Sequence, residues 1–242
     1  MNLDLTITRL KKAGKILRSP SLVLAFLRFG VFAGVEHCPV LSAKLKTIVD
    51  VGANKGQFAL AARKCAPFAN IFSFEPLNAP AKIFKALFAS DSQVYLNEVA
   101  IGANVDRSVL HVSQREDSSS LLPIGPSQIE YYPGTQEKKV IVVNVAPLSS
   151  LLNAEDIQSP SMLKIDVQGF ELEVLQGCDS LIDKFDYIYC ECSFIELYKG
   201  QKMAFEIIEW LAKRNFQFAG VYNLCNTKDN LPIQADFYFR KI

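Results

Sequence analysis

The stretch "TIVDVGANKGQF", residues 47–58, runs from a short apolar strand through an acid and two glycines four apart into a helix-forming segment. Gly52 and Gly56 let the chain turn and pack closely, Asp50 closes the buried strand, and the helix beginning near Gln57 aims its free N–H groups into the turn. Such a turn marks a place where backbone comes close to a ligand, and it anchors the first strand of a sheet.

Outward from it, strand-like runs fall at 70–75, 94–100, 161–167, 187–193 and 216–222, closed by 236–242. Helical patterns lie between them at 57–65, 80–89, 171–176 extending toward 181, and 203–214, where Phe205, Ile208 and Leu211 recur at helical spacing. Gly177 reads as a helix stop. Strands alternating with helices are the signature of a parallel sheet wrapped on both faces, so the fold class is α/β, a doubly wound sheet of seven strands. Two further strand-like runs, 107–113 and 138–145, flank a long loop at 114–137 and form an insertion; loops of that length inside a compact domain are usually functional or disordered. There is no internal repeat and no low-complexity tract.

Composition narrows the classes. The 242 residues, 50% hydrophobic and 21% charged, suit one globular domain with a small appendage. With 26 basic against 25 acidic residues, the chain is not one whose main business is neutralising phosphate backbones, and no nucleic-acid partner is expected. Six cysteines without a C-x-x-C pair, in a chain for which no secretory leader is expected, indicate neither zinc nor a disulfide framework, and fit a reducing cytoplasm. Cys190 and Cys192 fall on one strand face as small buried hydrophobes, and no metal site is expected.

The first 35 residues stand apart, with Arg9, Lys11, Lys12, Lys15, Arg18 and Arg28 against the single acid Asp4. Their apolar run, residues 21–34, is interrupted by Arg28 and falls short of the ~20 residues that span a bilayer. A helical arm is expected, either packed on the domain with a solvated basic face or touching anionic lipid or a partner. The expected location is cytoplasmic, with peripheral contact at the inner membrane surface.

The dinucleotide fingerprint G-x-G-x-x-G needs a glycine where this chain has Asn54, and no G-x-x-x-x-G-K-[ST] loop occurs. The spacing acid-x-G-x-x-x-G, with a second acid, Glu75, ending the second strand, instead suits S-adenosylmethionine. Backbone at Gly52 then faces the methionine part, and the Glu75 carboxylate holds the ribose hydroxyls. Ligands of open α/β sheets bind at this carboxyl edge.

Several segments in order, "VDVGANKGQF" (49–58), "FEPL" (74–77), "VAIG" (99–102), "DSSSLLP" (117–123), "LKIDVQGFELEVLQG" (163–177), "SFIELYKGQ" (193–201) and "ADFYF" (235–239), resemble the FkbM family of S-adenosylmethionine-dependent methyltransferases. The resemblance covers residues 36–242 and leaves 1–35 as the arm, with the insertion at about 107–145 inside the domain. It implies a class I methyltransferase sheet with its last strand antiparallel, an inserted β-hairpin, S-adenosyl-L-homocysteine as product, and methylation of a hydroxyl on a small molecule or glycan, often a sugar or secondary metabolite. One departure is Ser149, where relatives usually carry an aspartate just after Leu148; serine can replace an acid that caps a helix.

The expected cofactor residues are Asp50, Gly52, Ala53, Asn54, Gly56 and Phe58 of the first motif and Glu75 and Pro76 of the second. Asn97, Glu98, Val99 and Ala100 at the third strand's end are expected to read the adenine edge, and Asp117, Ser118, Ser119 and Ser120 to hydrogen-bond ligand from the long loop.

Methyl transfer to oxygen needs alignment and a base for a hydroxyl of high pKa. Asp166, ending the fourth strand beside the first, is that base, or binds the cofactor's amino group, or accepts N–H bonds from the "VQGFE" turn. Glu191 at the end of the fifth strand either contacts the acceptor or pairs with Lys164. Glu171 is expected to complement a helix dipole. An imidazole base is His37, which precedes the first strand, or the less favoured His111. The alternative to an enzyme is a non-catalytic S-adenosylmethionine-binding domain that docks on a membrane or a biosynthetic complex.

Overall fold

The computed structural model describes residues 14 and 16–242. Asp4, Arg9, Lys11, Lys12 and Lys15 of the arm lie outside the described residues.

Seven strands form the main sheet: β1 (Thr47–Val51), β2 (Asn70–Phe74), β3 (Val94–Asn97), β7 (Ser161–Ile165), β8 (Tyr187–Ser193), β9 (Phe216–Asn226) and β10 (Pro232–Lys241). Their order is β3-β2-β1-β7-β8-β10-β9. β10, the last strand in the chain, runs antiparallel to both β8 and β9, whereas β1, β2, β3, β7 and β8 pair in parallel. The alternation of side chains along β1 divides the core. Val49 and Val51 join Leu163, Ile165, Val174, Leu175 and Leu211 on one face, while Ile48 joins Phe58, Ala62, Phe84 and Met162 on the other.

Helices α2 (Gln57–Cys65) and α3 (Asn78–Leu87) supply apolar side chains to the Ile48 face, and α5 (Glu171–Gly177) and α6 (Ala204–Ala212) to the Val49 face. In α6 the buried stripe is Ala204, Ile207 and Leu211; Phe205, expected in the core, is 66% exposed, because the true helical face is set one residue earlier. Gly177 is the last residue of α5, where a Cβ would sit 2.1 Å from the Gly102 carbonyl oxygen. Close approach of two chain segments, as well as termination, requires it.

The expected third strand, 94–100, is split. β3 ends at Asn97, and Ala100–Ile101 forms a separate strand, β4, that pairs in parallel with β6 (Glu137–Ala146). β6 also pairs antiparallel with β5 (Asp106–Ser113), so the insertion is a three-stranded sheet, β4-β6-β5, rather than a hairpin alone. Its connecting loop holds a 3-10 turn at Glu116–Ser118 and helix α4 (Pro126–Tyr131).

The arm supplies α1 (Pro20–Phe29), started by proline and stopped by Gly30 at φ +67°. Leu22 and Ala25 are buried, and Ile16, Leu22, Ala33 and Val35 cluster with Leu60 of α2. Leu17, Leu24, Leu27 and Phe32 stay exposed. Among the described residues, no helix is long and apolar enough to cross a membrane.

Candidate active site at the carboxyl edge

A cavity of about 450 Å³ opens at the carboxyl ends of β1, β2, β7 and β8, within the size range of small-molecule sites. Its framework is the turn after β1. Gly52 has φ +80°, and a Cβ there would lie 1.8 Å from the Asp166 carbonyl oxygen, so the end of β7 leaves no room for a side chain. The N–H groups of the turn itself, residues 52–56, are spent within the protein. Gly52 and Ala53 donate to the Phe74 carbonyl, Asn54 donates to Glu75 Oε2 at 2.9 Å, Lys55 to its neighbours' side chains, and Gly56 to the Ala53 carbonyl. A turn whose donors are spent internally is no cradle for a pyrophosphate.

Glu75 also accepts the Leu77 N–H at 2.7 Å through Oε1. Burial pushes its pKa up to about 7 against the pull of these two backbone donors. Each carboxylate oxygen keeps a further lone pair, and Glu75 lines the cavity beside Pro76.

The floor is a linked set of charges. Asp50 and Lys164 are cross-strand neighbours on β1 and β7, and Lys164 Nζ lies 3.1 Å from Asp50 Oδ1, 3.0 Å from the Gly52 carbonyl and 3.8 Å from Asp166 Oδ2. Burial opposes the ammonium, but Asp50 and Asp166 outweigh it and raise its pKa. Gln168, held at φ +60°, donates from Nε2 to Asp166 Oδ1 and to Glu191 Oε2, each at 2.8 Å. Burial, then Asp166 and Asp236, push the Glu191 carboxyl well up. For Asp166 burial acts upward, yet Lys164, Gln168 and Glu191 prevail and its pKa falls below the ordinary value. The two carboxyls are thereby driven apart, one kept ionised and the other inclined to hold its proton.

Glu171 is buried and accepts the Gly169 N–H at 3.0 Å and the Val167 N–H at 3.3 Å. It pins the turn after β7, the role considered for Asp166; burial pushes its pKa up to about 7.

His37 sits in the 3-10 turn Val35–Val40 and lines the cavity. Its Nδ1 is 3.0 Å from Tyr189 Oη, and that hydroxyl donates to Asp236 Oδ2 at 2.7 Å. Asn223 Nδ2 donates to the same Asp236 oxygen at 2.7 Å. With the tyrosine proton committed to Asp236, the tyrosine oxygen accepts from His37 Nδ1–H, which leaves Nε2 as the lone-pair nitrogen.

The long loop folds over the opening. Ser120 Oγ donates to the Gln168 carbonyl at 2.6 Å, Tyr198 Oη lies 2.8 Å from Gln168 Oε1 and 3.0 Å from the Ser118 carbonyl, and Lys55 and Glu116 approach at 3.9 Å.

Of the expected residues, the cavity gathers Gly52, Ala53, Asn54 and Phe58 from the first motif, and Val99 and Ala100 beyond β3. It also gathers the loop residues Asp117 to Ser120, and His37, Asp166 and Glu191. Four lie elsewhere. Asp50 is wholly buried against Lys164, and Gly56 packs against Phe84 and Phe88. Asn97 gives its carbonyl to the Glu75 N–H. Glu98 turns to Lys85 and Asn78 on α3, because the chain leaves the main sheet at this point. The considered Glu191–Lys164 pair gives way to Lys164–Asp50, and His111 pairs with Glu137 away from the cleft. Ser149 is exposed in the 3-10 turn Leu148–Ser150, whose cap position belongs to Pro147. None of the six cysteines is in a disulfide, and among the described residues no group of three or more His, Cys, Asp or Glu side chains is placed to hold a metal.

Residues not anticipated are Gln168, Tyr189, Asn223, Asp236, and the wall of Gln128, Tyr132 and Gln234. Lys164, anticipated only as a partner for Glu191, carried the one readable signal, a lone basic residue inside an apolar strand.

Strand order, antiparallel last strand and carboxyl-edge cleft define a class I, Rossmann-like methyltransferase fold. A Streptococcus pneumoniae protein assigned as a tRNA (m1A22) methyltransferase, solved with S-adenosyl-L-methionine, shares this fold with a TM-score of 0.52 at 8% identity, over 86% of this chain and 71% of that one. The methyltransferase FkbM domain model matches residues 50–218, and the chain belongs to that family. It is 28% identical over 160 residues to the 2-O-methyltransferase NoeI of Sinorhizobium fredii, covering 64% of this chain and 66% of the relative, just under two thirds of that protein's length.

Proposed function

We propose that the chain is an S-adenosylmethionine-dependent O-methyltransferase acting on a hydroxyl of a sugar, glycan or secondary metabolite. The observation that carries this reading is the cleft that sets Glu75, the turn at Gly52 and the ionised Asp166 around one space. The residues fit the cofactor: a carboxylate at the end of β2 suits ribose hydroxyls, a turn without free N–H groups suits a cation better than a phosphate, and Glu36, Glu116, Asp117 and Asp166 at the cavity add negative charge. When bound, the cofactor supplies a methyl group activated on a sulfonium.

In this reading Glu75 accepts the ribose hydroxyls, and Gly52, Ala53 and Asn54 border the methionine part. Val99 and Ala100 flank the adenine. Asp166 complements the cationic amine, and Ser118 to Ser120 close the entrance. His37 takes the proton of the acceptor hydroxyl at Nε2, while Tyr189 and Asp236 hold its ring and tautomer. The 2-O-methyltransferase relative supports oxygen as the atom methylated. Calorimetry with S-adenosylhomocysteine, followed by transfer of isotope-labelled methyl groups to a panel of glycans and sugar nucleotides, tests the proposal; absence of S-adenosylhomocysteine binding would overturn it.

A second reading concerns the arm and is compatible with the first. Leu24 and Leu27 of α1, with Leu17 and Phe32 beside it, form an apolar face left exposed among the described residues, and the first 35 residues hold six basic side chains against one acid. Apolar contact flanked by positive charge suits an anionic bilayer surface. The full chain is expected to sediment with phosphatidylglycerol vesicles at low salt, and Leu24→Glu with Leu27→Glu to abolish this. Equal sedimentation of the variant would refute it.

A further inference from the structure

Across the cleft from Glu75 stands a wall with no assigned task. Gln128 of α4 is 3% exposed, lines the cavity, and its side-chain Oε1 has no hydrogen-bond partner. A buried amide oxygen without a partner costs stability unless something else supplies the donor. Beside it Tyr132 Oη donates to Gln234 Oε1 at 3.3 Å, and both residues line the same cavity, as does Glu191.

The wall is rigid. Thr135, fully buried, donates its hydroxyl to the Tyr132 carbonyl at 2.7 Å and lies 3.1 Å from that of Gln128, tying down the end of α4. At the other end Gly125 donates to the Leu197 carbonyl at 2.8 Å, and a Cβ on Gly125 would lie 2.5 Å from that oxygen. The register of β10 against β9 shifts on both sides of Gln234, an irregularity of the kind that re-aims a side chain out of a regular ladder.

Its chemistry is selective. Gln128, Tyr132 and Gln234 offer neutral donors and acceptors, the pattern that hydroxyl groups match. None of the three is charged, and Cys225 beside Tyr132 is a thiol that burial keeps protonated. The cavity's two cations have carboxylate partners of their own, Arg115 with Asp117 at 3.4 Å and Lys164 with Asp50 at 3.1 Å, while Glu191 and Asp166 line the same space. A phosphate or carboxylate on the ligand would be desolvated here without a counter-charge that is not already paired, and would face the carboxyls of Glu191 and Asp166.

Resting on the O-methyltransferase reading, we propose that Gln128, Tyr132 and Gln234 form the acceptor subsite, and that it takes uncharged polyhydroxylated rings while rejecting their anionic counterparts. The Gln128 Oε1 atom accepts a hydroxyl proton from the ligand, and the Tyr132–Gln234 pair fixes the ring's orientation.

Saturation-transfer NMR on the full chain with saturating S-adenosylhomocysteine tests this, using methyl glycosides of neutral hexoses and deoxyhexoses against glucuronic acid and glucose 1-phosphate. Neutral glycosides are expected to take up saturation and the anionic pair to take up none. Gln128→Leu, which deletes a group with an unpartnered oxygen, and Gln234→Leu are each expected to weaken the neutral signal at least fivefold, with S-adenosylhomocysteine affinity unchanged by calorimetry. Anionic sugars binding as well as neutral ones, neutral binding undiminished in both variants, or no glycoside binding while S-adenosylhomocysteine binds would each overturn the subsite alone. Failure of the wild type to bind S-adenosylhomocysteine would overturn the methyl-transfer reading and the subsite with it.

Discussion

Gly52, Glu75 and Asp166 form one side of the cleft from the ends of three adjacent parallel strands, each within two residues of a ladder hydrogen bond. Gln128, Tyr132 and Gln234 form the other from a short inserted helix, the residue after it and an antiparallel strand more than a hundred residues on. The first side is specified by backbone: a Cβ at Gly52 collides with the neighbouring strand, and Glu75 is gripped by two N–H groups. The second is specified by side chains, whose backbone is held by Thr135 and Gly125 rather than by the three groups themselves. Substitutions on the first side should therefore disturb fold and cofactor together, and those on the second should leave both intact.

The largest effect is expected at Gly52→Ala. The added methyl group would overlap the Asp166 carbonyl at a backbone angle that L-residues rarely adopt. A cost above about 4 kcal/mol is expected, since clash and strain combine. Chemical denaturation measures it, and a soluble variant of near wild-type stability would break the comparison at its root.

Glu75→Gln comes next, because the amide keeps an oxygen for one backbone N–H but loses the charge that strengthens bonds from two ribose hydroxyls. About a hundredfold loss of S-adenosylhomocysteine affinity is expected, the worth of one to two charge-assisted hydrogen bonds. Calorimetry that finds the two proteins within threefold would remove Glu75 from the cofactor side.

Proton linkage sharpens the same point. Burial pushes the Glu75 carboxyl up to about 7, and ribose hydroxyls donate most strongly to the ionised form, so ligand binding favours release of a proton. S-adenosylhomocysteine affinity should be flat above pH 7 and fall by up to about tenfold per pH unit below it. Glu75→Gln should abolish the slope. The ligand-free chain behaves in the opposite sense: Glu75 and Glu171 bind protons more tightly folded than unfolded, so stability falls as pH rises from about 4.5 to about 7. A thermal midpoint that rises across that interval would contradict the burial assigned to both groups.

The same contrast explains how far the sequence could be read. The cofactor side is made of contiguous motifs, because strand end, turn and helix start are neighbours in the chain, and Gly52 to Phe58 stand out as a unit. The split at 98–99 escaped because "VYLNEVA" has the composition of one strand, and only its pairing with β6, some forty residues later, pulls Ala100 away. The support of His37 escaped for a similar reason: Tyr189, Asn223 and Asp236 sit on three strands, and an ordinary-looking alternation hides that they share one face. Gln128 carries no local signal, since its meaning lies in lacking a partner once the fold is complete.

Ser149 makes the smallest prediction and tests where the comparison stops. The family resemblance leads to the expectation of an aspartate at this position. In the structure Ser149 is exposed within the 3-10 turn after β6, the preceding Leu148 is fully buried, and the turn is closed by the Ser150 N–H and hydroxyl, both donating to the Pro147 carbonyl. The Ser149 side chain therefore neither caps the turn nor reaches either side of the cleft. Ser149→Asp should change stability by no more than about 0.5 kcal/mol, as surface substitutions away from special features do, and should leave S-adenosylhomocysteine affinity where it is. A gain of tenfold or more in that affinity would mean that the loop moves into the cleft when ligand binds, and that a third group of residues must be added to the two described.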